Sequence, residues 1–313
     1  MIRCLLLSCL FSSPLLAAPE TPAPQTELRD AAKLSRPCRI LVDKDFGILV
    51  SNVRGDASSD DKEASIARIK IDGVDKAGKA LPPSFSAAIA TGGKDKVILS
   101  APKGMAMMDG KMLVCDLDKI AVFELNENGV MRQINLIPVT GAKNLEAIVC
   151  QGKDAFVTDP ASGRILAIHD LLDKASRKVE ILLDKAPAPR GMILDGRQLK
   201  FICARDSSLW SLSLAGGAPE RISKLPMPKD FDPKNLDACV YVDLLKNAAG
   251  EIYLLNQAEG KIIVLDPLDG KPHVFASDLR RPTSFALLND ENLAVVQTYS
   301  NSIILLPALK PLK

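Results

Sequence analysis

Six residues stand at the head of similar apolar stretches, Cys38, Lys103, Glu146, Arg190, Asp237 and Thr283, and all but Cys38 come one position ahead of a small or glycine residue. Their types allow three kinds of chemistry. Lys103 and Arg190 can receive carboxylates, Glu146 and Asp237 can receive amines or a metal ion, and Cys38 carries a thiol. In chain order, four consecutive members alternate in sign, as Lys, Glu, Arg, Asp. Brought together, neighbouring opposite charges would pair, fixing geometry more surely than they add stability. Cys38 has no nearby histidine to activate it, which weakens any claim to nucleophilic catalysis. Its assignment is also the loosest, because Arg39 rather than a small residue follows it.

The spacing of the six marks defines the elements that must hold them. The steps are 65, 43, 44, 47 and 46 residues, the first lengthened by an insertion after Asn52. Each unit reads as a small or glycine turn, an apolar strand, a polar break and another apolar strand, as in APKGMAMMDGKMLVCDLDKIAVFEL (101–125) and APRGMILDGRQLKFICARDSSLWSLSL (188–214). A period of roughly 40–50 residues with several short strands per unit is the pattern of propeller blades. Lys111–Cys115, Ala155–Thr158, Ile252–Leu255 and Leu293–Val296 have the short apolar or alternating form of buried strands. Asp109-Gly110, Asp195-Gly196, Asn128-Gly129 and Asp269-Gly270 supply hairpin turns, where glycine accepts the positive φ required. A single blade cannot bury both its faces, so the units must stack around an axis.

The expected fold is therefore all-β: a six-bladed β-propeller with four-stranded blades. The innermost strand of each blade lines the central channel, which places the six marks around one mouth. The last unit ends at Leu306 without a fourth strand, and Glu27–Leu34 precedes the first unit without a partner. This N-terminal segment is expected to complete the sixth blade.

Residues 1–18 read as a secretory signal peptide: a positive start at Arg3, an apolar stretch Cys4–Leu16 and a small end at Ala17-Ala18. Residues 19–26 form a Pro-rich spacer, leaving 27–313 as one propeller domain. A secreted or periplasmic location follows, and no later stretch is apolar enough for a membrane helix. The formal net charge of +2 and the lack of a basic run argue against nucleic acid as a partner. After leader removal five cysteines remain, Cys38, Cys115, Cys150, Cys203 and Cys239; an odd count without clustered spacing is no disulfide framework.

Other chemical signals are few. GVDKAGKA (73–80) approaches a phosphate-loop pattern, but Ala80 stands where a magnesium-binding Ser or Thr is needed. The only histidines, His169 and His273, sit apart in apolar contexts, which makes a zinc site or a Ser-His-Asp triad hard to assemble. Asp56, Asp60, Asp61 and Glu63 have oxygens for calcium, but their spacing fits no dedicated loop and Lys62 interrupts them; a solvated acidic loop is the expectation. With Trp210 as the single tryptophan, a sugar-stacking site has little support.

Pro-x-Gly-Met in APKGM and APRGM, the apolar strands that follow, and the VCD and VTD strand endings resemble the NHL-repeat and gluconolactonase-like (regucalcin-type) six-bladed propellers, over roughly residues 27–307. The resemblance implies one divalent cation, such as calcium, held at the channel mouth by Glu, Asn, Asn and Asp from four blades. Those positions correspond to Cys38, Glu146, Arg190 and Asp237 here. Asp237 is retained and Glu146 can still offer oxygen, whereas Cys38 is a soft substitute and Arg190 a cation that repels a metal. The sequence therefore points to a binding scaffold without a cofactor, its mouth meeting a protein or small polar ligand through Cys38, Lys103, Glu146, Arg190, Asp237 and Thr283. The alternative is a lactonase-type hydrolase with a degenerate metal site at Glu146 and Asp237.

Overall fold

The computed structural model describes residues 26–28, 34–70, 85–125, 131–228, 239–266, 270–289 and 292–307. The first strand, β1 (Thr26–Leu28), belongs to the last blade. Blade 1 is β2 (Pro37–Asp43), β3 (Gly47–Asn52), β4 (Ser65–Lys70) and β5 (Phe85–Thr91). Blade 2 is β6 (Pro102–Met108), β7 (Lys111–Asp116), β8 (Lys119–Leu125) and β9 (Met131–Pro138). Blade 3 follows with β10 (Ile148–Gln151), β11 (Asp154–Asp159), β12 (Arg164–His169) and β13 (Lys178–Leu183). Blade 4 holds β14 (Pro189–Asp195), β15 (Gln198–Cys203), β16 (Ser208–Ser213) and β17 (Glu220–Lys224). In blade 5 the strands are β18 (Tyr241–Lys246), β19 (Ile252–Asn256), β20 (Lys261–Leu265) and β21 (Pro272–Ala276). Blade 6 comprises β22 (Pro282–Asn289), β23 (Asn292–Gln297), β24 (Ser302–Pro307) and β1. The expected six antiparallel four-stranded blades are all present.

Packing explains why the second and third strands read as continuous apolar runs. Each lies between two neighbouring blades and is buried on both faces, whereas outer strands such as β13 and β17 are largely exposed. Six core clusters fill the six gaps between blades. Leu113 and Ile120 of blade 2 pack with Val157 and Leu166 of blade 3, and Phe156 and Ile165 with Leu199 and Phe201 of blade 4. The last gap joins Ile48, Val50 and Ile69 of blade 1 to Val296 and Ile303 of blade 6, with Leu28 and Leu34 packed against them.

The ring is closed by the N-terminus as the sequence suggests: Thr26, Glu27 and Leu28 pair antiparallel with Leu305, Ile304 and Ile303, and residues 29–33 lie outside the described ones. Leu34, expected inside that strand, instead serves the core. Asp109 and Gly110 both have positive φ (48° and 71°), the geometry of a two-residue hairpin turn between β6 and β7. The turn at Asn128-Gly129, Asp269 and the 73–80 segment lie outside the described residues.

A repeated latch sets where each innermost strand begins. The residue ending the second strand accepts hydrogen bonds from the backbone entering its own blade. Asn52 Oδ1 accepts from Ser35 N (3.2 Å), Asp116 from Ala101 N (2.6 Å) and Ser100 N (3.0 Å), Asp159 from Lys143 N (2.8 Å) and Asn144 N (3.1 Å), and Gln297 Oε1 from Arg280 N (2.5 Å). The VCD and VTD endings are thus architectural: a buried oxygen satisfies amides that the sheet ladder leaves unpaired.

Candidate functional site at the channel mouth

The innermost strands converge so closely that the position after each mark has almost no room. A Cβ on Gly104 would lie 2.5 Å from the Glu146 carbonyl oxygen, and one on Gly191 would lie 2.6 Å from Asp243 Cα. Small residues therefore hold this position in most blades: Gly104, Ala147, Gly191 and Ser284. A break in ladder register recurs there, between Pro37 and Arg39, Pro102 and Met105, Pro189 and Met192, Tyr241 and Asp243, and Pro282 and Ser284. In register, blades 1 and 5 place Arg39 and Asp243 where the others keep a small residue.

Those two exceptions form the centre of the site. Arg39 crosses the channel: Nη2 donates to Glu146 Oε1 (2.9 Å) and to the Val242 carbonyl (3.2 Å), while Nη1 lies 2.8 Å from Asp243 Oδ1. One guanidinium thus joins alternate blades 1, 3 and 5. Arg190 Nη1 donates to both Glu146 oxygens at 3.0 Å, and Ser284 Oγ donates to Asp243 Oδ2 at 2.8 Å. Lys103 Nζ donates to Asn144 Oδ1, a residue that the Asp159 latch holds by its backbone. Thr283 Oγ1 lies 2.9 Å from Thr298 Oγ1, which donates to the Pro37 carbonyl. Hydroxyls on second strands hold the next blade's mark: Ser51 Oγ donates to the Lys103 carbonyl (3.0 Å) and Thr158 Oγ1 to that of Arg190 (2.8 Å).

Desolvation and pairing compete at these groups. Burial works to raise the Glu146 carboxyl, but Arg190, Arg39 and Lys103 together outweigh it and hold it below its ordinary value. Burial lifts Asp243 above the usual carboxylate range against the pull of Arg39 and the Ser284 hydrogen bond. For Arg39, burial opposes the charge, yet Asp243 and Glu146 more than compensate and keep the guanidinium firmly protonated. Cys38 is pushed up by burial despite Arg39 and Lys103 nearby, so its thiol stays neutral at ordinary pH.

Of the six marks, Cys38, Lys103, Glu146, Arg190 and Thr283 occupy equivalent positions at the head of innermost strands. Asp237 lies outside the described residues, and the innermost strand of blade 5 starts at Tyr241, later than even spacing predicts. Val242 holds the mark position there. Arg39 and Asp243 carry no mark in the sequence, although the lack of a small residue after Cys38 is itself the signal of Arg39. Among the described residues the alternation in sign yields the neighbouring pair Glu146 with Arg190, while Lys103 turns to Asn144.

The residues do not fit the divalent cation that the family resemblance implies. Both oxygens of Glu146 accept guanidinium hydrogens, Arg190 and Arg39 set two fixed positive charges beside it, and Cys38 is a neutral thiol. No group of three or more potential metal ligands occurs among the described residues.

Elsewhere, the described cysteines form no disulfide with one another; Cys115, Cys203 and Cys239 are buried, and Cys150 is half-buried. The acidic insertion satisfies itself: Asp61 accepts from Asp56 N, Ser59 Oγ and Glu63 N, and Asp60 accepts from Ser100 Oγ. His169 sits between Asp154 (3.0 Å) and Glu180 (3.2 Å) across three strands of blade 3, and His273 is 4.0 Å from Asp266. A cavity of about 370 Å³ lies beside the starts of β18 and β22, lined by residues including Cys239, Gln257, Glu259, Leu279 and Arg281.

No protein-family model matches the chain, and no curated protein matches it by sequence. Solved structures do. A catalytically inactive virginiamycin B lyase from Staphylococcus aureus, solved with quinupristin, is 14% identical with a TM-score of 0.59, covering 91% of this chain and 99% of that one. A putative 6-phosphogluconolactonase from Bacteroides uniformis is 17% identical with a TM-score of 0.56, over 86% and 80% of the two chains. A chain of a nidogen/laminin complex is 15% identical with a TM-score of 0.58, over 78% and 86%. The class is that of the six-bladed β-propellers with NHL-like and lactonase-like neighbours. At these identities the likeness is one of fold.

Proposed function

We propose that this propeller is an exported binding scaffold whose charged channel mouth receives a small polar ligand or a segment of a partner protein. One observation carries the reading: the mouth's two described carboxylates, Glu146 and Asp243, are both engaged by guanidinium groups and so are committed to closing the channel. A hydrolase of the lactonase type needs carboxylates free to hold a metal or move a proton. The cavity beside β18 and β22 adds room of a size that suits a small ligand. The nidogen/laminin neighbour is a propeller-like chain found in a protein complex, which agrees with a scaffold role. No helix among the described residues is long and apolar enough to cross a membrane. The leader at residues 1–18 supports export.

The test is calorimetric titration of calcium and manganese into the mature protein, run beside a small lactone-hydrolysis panel and a thermal-shift panel of acids, amines and polyols. The scaffold reading expects no tight metal binding, no turnover, and at least one ligand class whose effect is lost on altering the mouth. Tight metal binding with lactone turnover would replace it by the hydrolase. The mass of the mature protein recovered from the exported fraction checks the leader.

A further inference from the structure

The cavity of about 370 Å³ beside the starts of β18 and β22 is built from three chain segments that the fold fixes. Cys239 precedes Val242 at the entry to blade 5, Gln257, Glu259 and Gly260 belong to the turn from β19 to β20, and Leu279 and Arg281 lead into blade 6. Hydrogen bonds tie these segments together. Gln257 N donates to the Val240 carbonyl (2.7 Å), Leu279 N to that of Gly260 (3.0 Å), and Gln257 Nε2 to that of Pro282 (3.3 Å). The turn and the blade 6 entry approach so closely that a Cβ on Gly260 would lie 2.2 Å from the Leu279 carbonyl oxygen. The walls are therefore formed before any ligand arrives, and binding need not order them.

The lining divides by chemistry. Cys239 and Leu279, 5% and 6% exposed, form an apolar floor, while the exposed rim carries opposite charges, Arg281 from the blade 6 entry and Glu259 from the blade 5 turn. Arg281 stands two residues before Thr283 with positive φ (51°), as Arg36 and Ala188 do at the same position in blades 1 and 4. Its backbone is thus set by the repeated strand entry, and its carbonyl accepts from Thr298 N (3.3 Å). Glu259 accepts from Asn256 Nδ2 at Oε2 (2.8 Å) and from Lys261 Nζ at Oε1 (3.3 Å), which pins the carboxylate and leaves each oxygen a further lone pair.

We propose that this cavity binds a free α-amino acid with an apolar side chain, its carboxylate on the Arg281 guanidinium, its ammonium on Glu259 and its side chain over Leu279 and Cys239. The proposal rests on the scaffold reading and supplies the ligand that the scaffold holds. A guanidinium offers a planar fork that matches a carboxylate, and the Glu259 oxygens accept from an ammonium. Opposite charges on one rim also select. An acid without an amine sets its carboxylate near Glu259 with nothing to offset the repulsion, and an amine without an acid meets Arg281 in the same way. The volume lies at the small end of the range of ligand pockets, roughly 300–1,000 Å³, which suits a molecule of this size better than a polymer.

The experiment is isothermal titration of the mature protein with four probes: leucine, N-acetylleucine, leucinamide and glycylleucine. Wild type should bind leucine at least about tenfold more tightly than N-acetylleucine or leucinamide, each of which lacks one charge. Glycylleucine, whose charges stand farther apart, should also bind less well. Arg281→Asn, which keeps a residue at ease with positive φ, should lose about tenfold or more for leucine and leave leucinamide unchanged or improved. Glu259→Gln should lose similarly for leucine and leave N-acetylleucine unchanged or improved. Both side chains are exposed, so neither variant should unfold the protein. Arg280→Gln alters an exposed neighbour outside the lining and should change none of these affinities. Leucine affinity unchanged in either rim variant, or lost equally in Arg280→Gln, would overturn the proposal. Tighter binding of glycylleucine than of leucine would overturn the free amino acid as the ligand. Silence toward all four probes with a response elsewhere in the wider thermal-shift panel would overturn it while keeping the scaffold, whereas silence throughout would remove both readings.

Discussion

Buried carboxylates do two different jobs in this molecule. Asp116 and Asp159, at the ends of second strands, accept backbone amides and fix where the innermost strand of their own blade starts. Glu146 and Asp243, at the channel, accept guanidiniums delivered from other blades. The first kind satisfies neutral donors within one blade, so its loss is felt locally. The second balances charge across the ring, so its loss leaves ions stranded in a place that water reaches poorly.

The largest expected effect therefore comes from Arg39. Arg39→Ala strands Asp243, takes from Glu146 one of its two guanidinium partners, and should cost about 3–5 kcal/mol in denaturant unfolding. A loss below about 1 kcal/mol would show that the crossing guanidinium does not hold the blades. Gly191→Ala tests the same region sterically: its Cβ would lie 2.6 Å from Asp243 Cα, and an overpacked core contact typically costs about 1–3 kcal/mol. Among the latches, Asp159→Ala leaves the Lys143 and Asn144 amides without their acceptor, for a loss of about 1–2 kcal/mol. Hydrogen exchange should then quicken around residues 143–147 and not at Arg39; a ring-wide response would erase the distinction between the two kinds of carboxylate.

The smallest effect belongs to a third setting, at the solvent edge. Hydrogen bonding to Asp154, helped by Glu180 and opposed by mild burial, raises the His169 pKa. A raised folded-state pKa stabilises most below the unfolded value, about 6.5, and the contribution fades as pH rises through the folded pKa. The melting-temperature gap between wild type and His169→Gln should therefore be widest below about pH 6 and close at alkaline pH. A gap that widens with pH would contradict the pairing.

Much of the architecture is legible in the sequence because a blade repeats its punctuation. The turn at Asp109-Gly110, the doubly buried second strands and the even spacing each follow from local chemistry, and the blade count follows from their sum. The channel centre is less legible for a physical reason. Arg39 and Asp243 fill positions that the repeat reserves for small residues, so a search for the repeat passes over them. Asp243 is further hidden because the connection into blade 5 is longer than the period allows, which draws attention to Asp237 instead. Cross-channel pairing of blades 1, 3 and 5 has no signature along the chain, since it joins residues that share neither strand nor neighbouring blade.

Closure of the sixth blade by Thr26–Leu28 also dictates an order of events during synthesis. The residues that finish the ring are among the first of the domain to be made, and their partners on β24 come last. Until both are present the protein is an open arc with a bare strand edge, and contacts so distant along the chain form slowly. The same three-residue strand from a second copy would fit that edge equally well. Refolding at high concentration should accordingly yield strand-exchanged oligomers beside closed monomers, in proportions set by how long the arc persists.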